Sequence, residues 1–492
     1  MLVLVSSLSL GYIDGMSDTL FQYSTMETAE LIRQKKVSAR EVVEAHIDRL
    51  IIANKKINAV VQPLYEEALK AADKADRLTL SRKKNPLPIL HGVPCTLKGN
   101  LAVNGKLWTG GNWYRKHVTA DFDATVVKRV LAAGAIPLCL TNVPEACMWM
   151  ETDNQIHGRT NNPHDLKRIV GGSSGGEAAV IAAGGAPFGV GSDVGGSIRM
   201  PSFFCGIAGH KPSGRSIPST GQWPTVRGEA LKYNCGGPMA RRVSDLFPLF
   251  KILAGPDGLD KAILKYRLRD PDKVKLKKLK VYYYTENGQV AVSQTIKKAV
   301  LASARKMADM GCAVEEWRPK AFAQSLQIWG AMLSNHDARS YEQIISNGGA
   351  INVLRELMTI PFGQARHTFP SMALVLLERL FKVSPKHTAE FVKIGHQLRK
   401  EIEAKLGSNG VMLAPPYTHP APKHHIPKFM PFNWVYTAIF NVLEMPVTAV
   451  PTGKTRNGLP YGVQVAAMCG RDELTLAVAQ HLEVPISPVK MA

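Results

Sequence analysis

Twice in the first half of the chain, a short apolar helical pattern runs into glycine and re-emerges as a buried strand. "ATVVKRVLAAGAIPLCLTN" reads as a helix, a stop at Gly134 and a strand. "SGGEAAVIAAGGAPFGVGSD" repeats the pattern, with a helix near Glu177–Ala183, a stop at Gly184–Gly185 and a strand from Pro187. Elements that alternate in this way predict an α/β fold. Later segments continue the alternation. "KLKVYYYTEN" and "GVMLAPPY" read as strands, "TIKKAVLASARKMADMGCAVEEW" as helix then strand, and "MPVTAVPTG" with "GLPYGVQVAA" as a closing hairpin. Upstream, Ser38 and Glu41 have capping-box spacing, and Val43, Ile47, Leu50 and Ile51 fall on one helical face. No linker, internal repeat or low-complexity tract interrupts the chain. The expectation is a short apolar segment over 1–20, one large domain over 21–487 and a tail over 488–492.

Charge and cysteine narrow the setting. The chain of 492 residues carries 61 Lys and Arg against 40 Asp and Glu, a net +21, which suits an anionic neighbour such as an acidic membrane face, a lipid droplet or nucleic acid. No RNA-recognition or zinc motif supports nucleic acid, so none is expected as partner. The seven cysteines are odd in number and never spaced C-x-x-C, which points to reduced thiols on the cytoplasmic side and to no metal framework. "MLVLVSSLSL" lacks a basic start and a cleavage site, and it is shorter than the roughly 20 apolar residues of a membrane span. Neither a secretion signal nor a transmembrane anchor is expected. From Leu354 to Phe381 the chain is helical and rich in Met, Leu and Phe. A buried helix is the first reading of "SMALVLLERLF"; a greasy cap at a membrane or over an acyl channel is the second.

Two glycine-serine loops carry the chemistry. "VGGSSGGEAAV" opens a helix, whose free N–H groups attract negative charge, but no P-loop lysine follows it. Gly172 to Gly176 also fits G-x-S-x-G, with Ser174 as the nucleophile of an α/β-hydrolase-type esterase, although the motif follows a polar loop where a strand is required. The second loop, "VGSDVGGSIRMP", sets Gly195 and Gly196 against Ser197. There the backbone can turn successive N–H groups of Val194 to Ser197 into one hollow beside a hydroxyl. One short helix and one returning strand separate Ser173 from Ser197, a path that brings both to one sheet edge.

"GVPCTLKGN", "GGSSGGE" and "GSDVGGSIRMP", in that order, resemble the amidase signature family of Ser–Ser–Lys hydrolases. The C-terminal "APKHHIPKFMPFNWVYTAIFNVLEMPVT" and "LTLAVAQHLE" further resemble the fatty-acid amide hydrolases of the second type. The resemblance runs from about residue 20 to 485. It implies the amidase-signature fold, one large mixed β-sheet core covered by helices on both faces, and no cofactor. It implies Ser197 as acylating nucleophile, Ser173 as the bridging serine and Lys98 as the base, with oxyanion amides from Val194, Gly195, Gly196 and Ser197. Cys147 and Ser173 take substrate-lining positions, and Ser174, Asp193 and Arg199 supporting ones. A cis bond between Gly172 and Ser173 is implied too.

A free lysine is protonated at neutral pH and cannot act as a base, so burial must lower its pKa. "PCTLKGN" places no acid beside Lys98 in sequence. The expected function is hydrolysis of long-chain fatty-acid amides through an acyl-enzyme. The alternatives are an amidase for small or aryl amides and a glutamine amidotransferase subunit that works with tRNA. Members of this kind carry an N-terminal membrane helix; with only "MLVLVSSLSL" here, peripheral attachment through the basic surface and the Leu354–Phe381 region is expected instead. The sequence leaves the oligomeric state open, a homodimer included.

Overall fold

The computed structural model describes residues 17–81, 86–334, 339–380 and 384–490. The apolar start over 1–16 and the last two residues of the tail lie outside it. Eleven strands form one sheet. In chain order they are β1 (Val60–Pro63), β2 (Pro94–Lys98), β3 (Ile136–Thr141), β4 (Phe188–Asp193), β5 (Ala208–Lys211), β6 (Cys235–Ala240), β7 (Lys280–Tyr283), β8 (Ala313–Glu316), β9 (Gly410–Ala414), β10 (Val447–Lys454) and β11 (Pro460–Ala467). Their spatial order is β1-β3-β2-β4-β6-β5-β10-β11-β9-β7-β8. β3, β2 and β4 run parallel, as do β9, β7 and β8, while the hairpins between them are antiparallel, so the sheet is mixed.

Strand alternation sends successive side chains to opposite faces, and each face buries its own core. On β9, Val411 and Leu413 join one core with Leu249 and Phe250 of the helix Val243–Leu253 and with Val300 of the helix Gln294–Asp309. Met412 and Ala414 join another, with Ile439 and Phe440 of the helix Val435–Val442 and Leu398 of the helix Pro385–Leu406. Helices therefore cover both faces, as the family resemblance implies.

The Ser38–Glu41 capping box forms, and the helix it starts spans Ala39–Ile57. Val43, Ile47 and Leu50 are buried, but Ile51 is 42% exposed. It lies past the edge of the apolar stripe, which corrects the expected face. The apolar stretch after Leu354 is also corrected. Its helices, Val353–Thr359 and Phe369–Leu380, pack through Val353, Met372 and Val375, yet Leu354, Met358, Phe362, Phe369, Leu377 and Leu380 face outward. With the helix Tyr341–Ile345 they form a cap, not a buried core helix. Lys428 stands over the Phe369 ring and brings the exposed Phe429 and Phe432 to the same side. Among the described residues, no helix is long and apolar enough to cross a membrane.

Candidate active site

β2 and β4 are parallel neighbours, and both end at the same edge of the sheet. Lys98 is the last residue of β2, and Ser192 and Asp193 close β4. Lys98 is fully buried. Its Nζ lies 2.7 Å from Ser173 Oγ and 2.9 Å from Ser192 Oγ, with the Ser192 carbonyl at 3.4 Å. Burial drives the Lys98 pKa below the usual 10.5, and it does so against the pull of Cys147, Asp193 and Glu177. A neutral amine carries two N–H donors and one lone pair. Ser192 offers two acceptors, so the lone pair is left for the Ser173 hydroxyl.

Ser173 follows a cis bond from Gly172, as the resemblance implies. It stands just before the helix Gly175–Ala182, which the glycines allow to lie tight against its neighbours. A Cβ on Gly176 would come within 2.5 Å of the Asn142 backbone nitrogen. The Ser174 N–H donates to the Ser197 carbonyl at 3.1 Å, which ties the two serine loops together. Among the described residues, the Ser173 and Ser197 hydroxyls share no hydrogen bond; catalytic contacts are often looser before substrate binds. The Ser174 hydroxyl is fully buried and lies 3.3 Å from the Ser192 carbonyl, so it is not presented to a substrate. That placement removes the reading of Ser174 as an elbow nucleophile.

The loop carrying Ser197 is built from its carboxylate outward. Asp193 accepts the Gly196 N–H at 2.7 Å and the Ile198 N–H at 3.0 Å, and it faces the Arg199 guanidinium across a buried two-point ion pair. Burial pushes the Asp193 carboxyl up, but Arg199 outweighs it and holds the group well below the usual carboxylate range. Gly196 has φ +124, and a Cβ there would strike Thr437 at 2.1 Å. Thr437 Oγ1 donates to the Gly195 carbonyl at 2.6 Å, Trp329 Nε1 to the Val194 carbonyl at 2.9 Å, and Asn441 Nδ2 to the Asp193 carbonyl at 3.0 Å. One expectation changes here. The Gly196 N–H is committed to Asp193, so the amides free to face a substrate oxygen are those of Val194, Gly195 and Ser197.

Cys147 sits in a turn, Glu145–Cys147, in which Ala146 and Cys147 have φ +51 and +59. Left-handed conformations cost non-glycine residues of order 1–3 kcal/mol each and persist only where the surroundings enforce them. Burial pushes the Cys147 thiol pKa up, while Lys98 and the Ser173 hydroxyl pull the other way, which places the thiol beside both.

Sequence reading passed over three neighbours. Ser192 lies inside the second loop but carries no motif signal. Asn100 donates to Ser192 Oγ at 3.4 Å from just beyond Lys98. Glu177, in "GGSSGGE", is fully buried; it takes hydrogen bonds from Thr96 and from Thr141 Oγ1, the latter at 2.8 Å, and burial raises its pKa to about 7. The absence of a nearby acid holds only in sequence, because the fold brings Glu177 and Asp193 close enough to pull the Lys98 pKa upward against its burial.

The arrangement can take a proton from Ser173 and hold negative charge against backbone N–H groups beside Ser197. Comparisons with known proteins show the family of the chain. Residues 41–476 match the family model described as Amidase. Over 485 residues the chain is 40% identical to fatty-acid amide hydrolase 2 from Homo sapiens, covering 95% of this chain and 90% of that protein. It is 39% identical to fatty-acid amide hydrolase 2-B from Danio rerio, covering 96% and 91%. A solved structure of a fatty acid amide hydrolase superposes with a TM-score of 0.80 at 22% identity, covering 96% of this chain and 87% of that one, a likeness of fold.

Proposed function

This chain belongs to the amidase family and is a hydrolase acting on amides, and from that premise we propose that it cleaves long-chain fatty-acid amides through an acyl-enzyme on Ser197. The observation that carries this reading is the buried Lys98 amine 2.7 Å from Ser173 Oγ, with its pKa lowered by burial. Neutral Lys98 takes a proton through Ser173 as Ser197 attacks the amide carbonyl. The oxyanion forms against the N–H groups of Val194, Gly195 and Ser197, each such donor being worth about 10²–10³ in rate. The proton returns through Ser173 to the leaving nitrogen, since an amide anion is too basic to depart unprotonated. Water then hydrolyses the acyl-enzyme.

The acyl specificity follows the relatives that carry the fatty-acid amide name. The outward apolar side chains of the cap suit the same substrates, because they give the protein a greasy face on which to rest at a membrane surface. Purified protein given primary amides of graded acyl length, without partner chains or tRNA, is expected to show kcat/KM rising with chain length. Turnover confined to short or aryl amides, or to glutamine with tRNA present, overturns the reading.

A further inference from the structure

Beneath the cap, Glu145 and His367 form a buried pair that the chemistry above does not use. His367 Nδ1 lies 2.6 Å from Glu145 Oε1, and both side chains are at most 3% exposed. The second carboxylate oxygen accepts the Thr368 N–H at 2.9 Å and the Thr368 hydroxyl at 3.2 Å. From Thr368 the hydroxyls continue through Ser371 at 3.0 Å to Tyr341 at 2.9 Å, crossing from the last cap helix to the first. His367 is held from the other side as well: Glu356 accepts its N–H at 3.2 Å, and its carbonyl accepts Gln155 Nε2 at 3.1 Å.

The opposite end of this network is the substrate-side turn. Glu145 begins it and Cys147, beside Ser173, ends it. Ala146 between them is fully buried in the cap's own apolar core with Ile345, Met372 and Val375. The turn is also left-handed at two consecutive non-glycine residues, so an outside contact must hold it in shape. The Ala146 N–H donates to the Gly110 carbonyl at 2.9 Å, and the carboxylate of Glu145 adds side-chain contacts whose partners, His367 and Thr368, are both cap residues.

We propose that Glu145 and His367 are a latch that fixes the cap to the Glu145–Cys147 turn, and that they act as positioning residues for the acyl chain of the substrate. A chain running along the turn from Ser197 then runs along the cap, and the latch holds the two walls in register. A short acyl group that ends at Cys147 does not need that register. The inference rests on acylation at Ser197 but not on which amide is the natural substrate.

The test uses the full-length protein and two fluorophosphonates that label Ser197, one with a long alkyl chain and one with an ethyl group. His367→Ala is expected to slow long-alkyl labelling about tenfold, the size of coupling such networks carry, while ethyl labelling stays within about twofold. In amide turnover the same loss should appear in KM for long-chain amides, with kcat little changed. His367→Asn, whose amide can donate from the Nδ1 position, is expected to restore the long-alkyl rate. If His367→Ala does not fold, Glu145→Gln, which keeps the shape and weakens the grip, is expected to shift the ratio of the two rates in the same direction. Equal slowing of both probes, or no change in either, overturns the latch. A changed probe ratio in a protein that turns over no long-chain amide sinks the substrate assignment and leaves the latch standing.

Discussion

Arg199 meets Asp193 at two points, Nε to Oδ2 at 3.0 Å and Nη2 to Oδ1 at 2.9 Å, with both side chains sealed from solvent. The carboxylate they share also orders two backbone N–H groups of the Ser197 loop. Arg199→Met strands a buried carboxylate and is expected to cost about 3–5 kcal/mol of stability. Chemical denaturation measures it; a loss below 1 kcal/mol would show that the pair does not hold the loop.

Lys98→Met is expected to lower kcat by about 10²–10⁴-fold, the range for removing a general base. Because burial lowers the Lys98 pKa, the unfolded chain binds the extra proton between the folded pKa and 10.5, and stability rises with pH across that window. The methionine variant has no such term. Its melting temperature relative to the unmutated protein should therefore decline as pH approaches 10.5. A constant difference across that range contradicts burial as the cause.

Ser192→Ala removes one acceptor of the Lys98 N–H groups. An acceptor favours the ammonium form, so its loss lowers the lysine pKa further, and the acid limb of the kcat profile should move to lower pH. The rate on the plateau should fall as well, because the lone pair is no longer steered toward Ser173. A pH–rate profile that superposes on the original refutes that role for Ser192.

Glu177 has the opposite sign. Its folded pKa is raised by burial from 4.5 to about 7, so the folded chain binds the extra proton between those values and stability falls as pH rises through them. Glu177→Gln cannot ionise. Its stability relative to the unmutated protein should improve from pH 4.5 to above 7 by on the order of 3 kcal/mol at most. A flat difference over that interval places the titration elsewhere.

Phe362→Glu with Phe429→Glu puts charge on the outward face of the cap and its neighbouring segment. Co-sedimentation with phosphatidylserine vesicles is expected to fall sharply, while activity on a dispersed short amide stays unchanged. Equal sedimentation of both proteins rules that face out as a membrane contact.

Much of this was legible in the chain. The helix–glycine–strand units around Gly134 and Gly184 foretell β3 and β4, the second of which carries Ser192 and Asp193, since apolar periodicity and glycine stops are local signals. Ser173, Ser197 and Lys98 were legible because their motifs are contiguous. Ser192 was not, because its role depends on the parallel pairing of β2 with β4, a contact across 94 positions of sequence. The commitment of the Gly196 amide to Asp193 was hidden for a related reason: N–H direction is set by φ and ψ, which residue type only restricts. The cap was misjudged because composition counts apolar residues without saying how many find a partner. His367 and Glu145 are 222 positions apart and carry no motif at all.

The Ser197 loop is braced by Trp329, Thr437 and Asn441, which lie 135 to 248 residues further along the chain than the atoms they hold. A ribosome therefore completes the hydroxyl long before it makes the brace. With Ser197 as the proposed nucleophile, reactivity is expected only once residues past 441 have been made and packed against the loop, and a chain cut short of Val435 is expected to stay inert toward a serine-directed probe. A half-made copy of this protein holds the Ser197 hydroxyl without the side chains that shape its loop.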